Sequence, residues 1–220
     1  ERRLRLIVPQ RGDNLSMVAM ANKNALEEAQ RVTGKEERVN ATLELLSKML
    51  SIPKAHRIES FDISNISGTD IVAGMVVFQN AKPRKKDYKR FKLEGMSGQD
   101  DYGSMRQVII RRFAHYQAGD AGFDIAPDLL LIDGGVNHAR VAVEALESLQ
   151  LSFPVFGMVK DDRHRTRALV TPDGKEIRID NNQAIFSFVG NIQEETHRFA
   201  ISFHRKLRSK RLRYSELDSI

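Results

Sequence analysis

The stretch PDLLLIDGG, Pro127 to Gly135, decides how the chain reads. Four apolar residues in a row, Leu129 to Ile132, have the unbroken hydrophobicity of a strand buried on both faces, as a central parallel strand is. The run stops on Asp133, a carboxylate that is costly to bury alone. Two glycines then remove the side chains just beyond the acid, and the helical pattern VNHARVAVEALESL follows at once. The strand thus delivers a carboxylate to its end, beside backbone bare enough for a phosphate to come close. An aspartate in this place also suits a helix N-cap, so Asp133 taken alone leaves both readings open.

Working outward, three strand signals precede this one. HRIESFDIS reads as a first strand ending near Asp62, and TDIVAGMVVFQ as a second, rich in β-branched residues. NAKPRKK is a basic turn, and DYKRFKLE alternates as a third strand, so the three form an antiparallel meander. DDYGSMRQVIIRRFAHY has helical spacing, with Met105, Ile109 and Phe113 on one face. After the helix that follows Asp133, VFGMVK is a fifth strand. TRALVTPDGKEIRI is a hairpin turning at Asp173–Gly174, and a long helix runs from about Gln193 to Arg211. Before the first strand, Leu15 to Leu50 carries apolar residues at helical spacing. Gly34 is expected to separate two helices there, and Pro53 ends the block. The expected division is a helical arm over residues 1–52 and a domain over 53–220.

This order predicts an α/β fold of the ribonuclease H-like kind. It has a mixed sheet, an antiparallel meander plus parallel strands, with flanking helices and an N-terminal helical arm. A Rossmann or flavodoxin-like sheet would alternate strand and helix from the start. No G-x-G-x-x-G follows the first strand and no G-x-x-x-x-G-K-[ST] occurs anywhere, so a nucleotide cofactor lacks support.

Composition narrows the partners. Across 220 residues, 35 Lys and Arg against 29 Asp and Glu leave a net charge of +6. The pI near 9.6 fits a polyanionic partner, most simply nucleic acid, and equally fits ordinary solubility charge. The absence of cysteine excludes disulfides and thiolate metal sites and agrees with a cytoplasmic location. No apolar run approaches the roughly 18 residues of a membrane span. The chain opens on ERRLRLIVPQ without a methionine or a signal-peptide pattern, so it reads as part of something longer.

Asp62 and Asp133, on neighbouring strands, would project at one end of the sheet. Two such carboxylates repel strongly at low dielectric, and a divalent cation between them removes the conflict. Mg²⁺ or Mn²⁺ suits oxygen ligands of this kind. The plainer reading of Asp62, next to Ser64 and Asn65, is turn chemistry. Asp100 and Asp101 stand just before a helix, where Asp100 suits a cap. His56, His115, His138 and His164 stand alone, as surface or core histidines do. His197 and His204 lie seven residues apart, on one face of the last helix. From Arg198 to Arg213 there are seven Lys or Arg residues and no acid. Arg198, Arg205, Lys206 and Arg208 of that run are candidates for DNA phosphate contacts. So are Arg84, Lys85 and Lys86 at the meander turn, with Lys89 and Arg90 beside them, and Lys160 at the end of the fifth strand.

FDISN, VAGMVVF, DYKRFKLEGMSGQDDYGSMRQVIIRRF, LLLIDGG and EETHRFAISFHRKLRSKR closely resemble, in this order, the C-terminal half of the UvrC family of bacterial excision-repair nucleases. The likeness runs from about Arg57 to Arg211, and Val8 to Leu50 resembles the segment that precedes that domain. The resemblance implies a ribonuclease H-like endonuclease making the 5′ incision beside a lesion in duplex DNA, after UvrA and UvrB have located the damage. It implies a catalytic set of Asp62, Asp133 and His197, with Asp101 as a further functional aspartate. Metal-assisted phosphodiester hydrolysis follows, with Asp62, Asp133 and His197 holding Mg²⁺ or Mn²⁺ and His197 alternatively a general acid or base. The family's 3′ cut belongs to a separate module, so this chain is expected to carry one incision activity. The rival class is a non-catalytic DNA-binding or scaffold module built on the same fold.

Overall fold

The computed structural model describes residues 9, 11–66, 70–93, 100–161 and 165–217; the side chains of 65, 66, 70 and 203–217 fall outside the description. The chain forms two compact units, Glu1–Ala41 and Thr42–Ile220. A single helix, α1, runs unbroken through Asp13–Leu50, so Gly34 does not separate two helices as expected. Lys35, Glu36 and Glu37 after it are good helix formers, and one glycine costs only about 1 kcal/mol relative to alanine. In the last turns of α1, Leu43, Leu46 and Leu50 are buried.

The second unit is built on an eight-stranded mixed sheet. Strand β1 (Arg57–Ile66) pairs antiparallel with β2 (Asp70–Gln79). The far edge of β2 takes β3 (Lys82–Pro83) and then β4 (Lys89–Leu93), both antiparallel. Helix α2 (Asp101–Gln117) returns the chain to β5 (Leu129–Ile132), which pairs parallel with β1. Helix α3 (Val136–Ser148) crosses to β6 (Val155–Lys160), parallel to β5. The hairpin of β7 (Thr166–Val170) and β8 (Glu176–Arg178) continues the sheet antiparallel, and α4 (Gln183–Leu217) closes the unit. The meander, the central parallel strand and the hairpin are those expected. Helix α4 begins at Gln183, not near Gln193. The start signal is Asn182, whose Oδ1 accepts from the Ile185 N–H at 3.0 Å.

Strand alternation sorts the side chains to two faces. Phe61, Ala73, Met75, Leu130 and Ile132 pack with Met105, Val108, Ile109 and Phe113 of α2 and with Ala139, Ala142 and Leu146 of α3. Glu59, on this face, is fully buried, and Arg112 of α2 meets it with Nε and Nη2 at 2.9 and 2.7 Å. The same guanidinium donates to the carbonyls of Phe123 and Ile125, so the buried charge pair is held by hydrogen bonds on both sides. The opposite face receives α4, where Phe188 stands edge-on to Phe78 at 6.1 Å between ring centroids.

Candidate active site

Alternation also places the chemistry. Asp62 lies one position beyond Phe61 and therefore points to the α4 side. The Asp133 N–H donates to the Phe61 carbonyl at 2.8 Å, which sets Asp133 beside Asp62 across the β1–β5 pair. Asp133 does not cap α3: the residue at the cap is Gly135, with no side-chain cap bond. On α4, His197 brings Nδ1 to 3.1 Å from Asp62 Oδ2. One ligand atom from each of Asp62, Asp133 and His197 falls within 4.8 Å of the others, a group that could hold a metal ion.

Two glycines that the sequence reading passed over make this convergence possible. Gly74 is the cross-strand partner of Asp62, and a Cβ there would stand 3.2 Å from the backbone of Ala200. The missing side chain lets α4 come down onto the sheet three residues past His197. On β6, a Cβ at Gly157 would stand 2.5 Å from the Gly134 carbonyl oxygen, so this glycine accommodates the turn that follows Asp133. Gly134 was expected to leave room for a phosphate. Its space is taken instead by the His138 ring, 2.6 Å from where a Cβ would be, whereas a Cβ at Gly135 would meet nothing within 4 Å.

Electrostatics in the cluster are tense. Burial, and then the neighbouring Asp133 carboxylate, push the Asp62 pKa up to about 6, against the pull of His197 and Lys160. Lys160 ends β6 with its ammonium 2.7 Å from Asp133 Oδ1. Expected among the DNA-contacting cations, Lys160 lies within the acidic cluster. Asp133 Oδ1 is buried and has no hydrogen bond of good geometry, so the contact is an ion pair only. Two carboxylates and an imidazole, one carboxylate oxygen paired with an ammonium but without a well-aligned hydrogen bond, fit a hard divalent cation.

The other expected residues fall elsewhere. Asp100 caps α2, its Oδ1 accepting from the Gly103 N–H at 2.8 Å, as its position suggested. Asp101 is the exposed first residue of α2 and lies outside the three-residue cluster. It acts electrostatically on His138, whose ring is 4.7 Å from that of Tyr102. Burial lowers the His138 pKa while Asp101 and Asp133 oppose the shift. Arg84 is bonded to Asp87, and Lys85 and Lys86 are exposed in a short 3-10 turn. Arg90 stacks over Phe199 of α4. Arg198 is not part of an unpaired run, because Glu195 binds it at 2.7 Å. Arg205, Lys206 and Arg208, like His204, lie in α4 with side chains outside the described residues, and His164 lies outside them altogether. Among the described residues no helix is long and apolar enough to cross a membrane.

The family model for the UvrC RNAse H endonuclease domain matches residues 47–201. The chain belongs to this family. The ribonuclease H-like fold expected from the sequence is therefore that of its family. The UvrABC system protein C of Clostridium novyi (strain NT) is 41% identical over 97% of the chain, and that of Acetivibrio thermocellus is 42% identical over the same share. The chain spans 37% of the length of each of these relatives. Among solved structures, an endonuclease V from Ciona intestinalis in complex with inosine-containing DNA is 14% identical over 61% of this chain and 58% of its own, with a TM-score of 0.36.

Proposed function

We propose that the domain is a metal-dependent DNA endonuclease that makes the 5′ incision beside a lesion during excision repair. The observation that carries this reading is the convergence of Asp62, Asp133 and His197 from two strands and a helix onto one point. Asp62 and Asp133 would hold Mg²⁺ or Mn²⁺, with the His197 imidazole as a third ligand or as the group that moves a proton. A divalent cation held there supplies a water acidic enough to attack a phosphodiester and charge to stabilise the transition state. The chain's own part is to hold two carboxylates that cannot comfortably share a site without a cation, and to present a histidine at its exposed edge. Asp101, at the start of α2, would act beside the cluster. Damaged duplex DNA would lie along Lys85, Lys86 and the basic C-terminal turns of α4. UvrB, with UvrA acting upstream, would bring the parent protein to the lesion.

Nicking of a lesion-containing duplex by the full-length parent, with UvrA and UvrB, tests this. Asp133→Ala is expected to remove the 5′ cut and leave the 3′ cut. Retention of the 5′ cut would sink the assignment.

A further inference from the structure

A cavity of about 280 Å³ lies against the N-terminal half of α4, lined by Arg165, Phe186, Gly190, Asn191 and Glu194, with Thr166 and Gln193 bonded to one another in its wall. None of these residues belongs to the acidic cluster. Gly190 is the informative one. A glycine inside a helix is, after proline, the least favourable residue for helix stability. A Cβ at Gly190 would meet nothing within 4 Å, so no packing contact explains the glycine. It lines the cavity, and a large side chain there would occupy it.

Position ties the cavity to the cluster. Thr166 is the cross-strand partner of Lys160, the residue that reaches Asp133. Gly190 precedes His197 by seven residues on the same helix, a rise of about 10 Å. That is comparable to about three stacked nucleotides at ~3.4 Å each. The chemistry narrows the occupant. Arg165 is already bound to Asp161 at 3.0 Å and is opposed by the exposed carboxylate of Glu194, so the cavity lacks the net positive charge that a phosphate needs. The Arg165 guanidinium lies over the Phe186 ring, 5.7 Å from its centroid, forming a flat cationic and aromatic wall. Walls of this kind stack nucleobases, and Asn191 and Glu194 can bond the donors and acceptors of a base edge. The volume falls just under the range of drug-sized sites, as suits one planar base.

We infer that this cavity takes a nucleobase of the DNA strand whose backbone crosses Asp62 and Asp133, a base close to the cut phosphodiester. The inference rests on the nuclease reading. Base capture beside the cluster would hold the strand in register while the phosphodiester is presented to the carboxylates.

The test compares binding of this chain, in metal-free buffer, to a short single-stranded oligonucleotide and to an abasic oligonucleotide of equal length and charge. Fluorescence anisotropy should show the base-containing strand bound tighter by at least about fivefold, the lower end for one stacked base. Gly190→Leu, which fills the cavity, should cut that preference to less than about twofold. It should leave abasic binding unchanged and the thermal midpoint unchanged or higher. Phe186→Leu, which removes the ring by a different route, should do the same to the preference. Equal binding of the two strands by the wild type, or a preference that survives both variants, overturns the base pocket and leaves the nuclease reading standing. Failure of both strands to bind this chain overturns the base pocket, while the nuclease reading stands or falls on incision by the parent protein.

Discussion

Lys160 and Asp133 form an ion pair of 2.7 Å between the ends of adjacent parallel strands, inside the cluster that would hold the metal. The Asp133 side chain is 4% exposed and that of Lys160 34%, so the carboxylate is committed to the site while the ammonium can swing outward. Lysine thus stands where a cation is required to offset two carboxylates. Lys160→Met should lower the thermal stability of the metal-free chain, by about 1–3 kcal/mol for a buried charged group losing its partner. Mn²⁺ should then stabilise the variant more than the wild type. Melting curves with and without Mn²⁺ decide this, and equal Mn²⁺ effects on both proteins would show that the lysine does not stand in for the metal.

The raised pKa of Asp62 makes a pH signature. Its value of about 6 lies above the ordinary 3.8, so the folded state binds this proton more tightly than the unfolded one. The resulting stabilisation is complete below about pH 4 and is lost as pH rises through the folded value of about 6. Asp62→Asn cannot titrate and should lack that part of the decline. Thermal midpoints across this range in metal-free buffer measure it, and parallel curves for the two proteins would contradict the assignment.

His197 and the basic end of α4 should separate by phenotype. His197→Ala in the full-length parent should lower incision with little change in DNA affinity, because one imidazole adds little to a field set by many cations. Replacing Arg205, Lys206 and Arg208 together should weaken binding to all sequences. The slope of log K against log salt should become shallower by about 0.9 for each lost duplex contact. Binding titrations at several salt concentrations test both; an affinity loss in His197→Ala equal to the triple variant's would overturn its role at the reacting centre.

Glu59 and Arg112 give a prediction about the scaffold alone. Both are fully buried, and Arg112→Met would leave Glu59, among the described residues, with Arg57 at 3.3 Å for charge compensation. Breaking a buried pair from one side costs about 3–5 kcal/mol, so chemical denaturation should show a loss of that order. A neutral effect would mean that Arg57 or water replaces the missing guanidinium.

The order of strands and helices was legible because hydrophobic period and unbroken apolar runs are local properties. Leu129 to Ile132 could hardly be anything but a central strand, and an acid that closes such a run announces itself. Asp62 and Asp133 were therefore visible along the chain, and His197 came from resemblance. Errors arose where a local penalty was too small to decide. One glycine did not break α1, and a capping Asn182 that started α4 early was passed over.

What sequence alone determined is the fold class and the two acids, since strand alternation and the end of an apolar run need no distant partner. The tertiary structure decided what surrounds them. It put Lys160 on Asp133 through the β5–β6 pairing. It set α4 close over Gly74, so that His197 meets Asp62, and it opened a cavity at Gly190. Each of these joins residues far apart in the chain. The identity of a lysine or a glycine is the same whatever it faces; only packing says what that is.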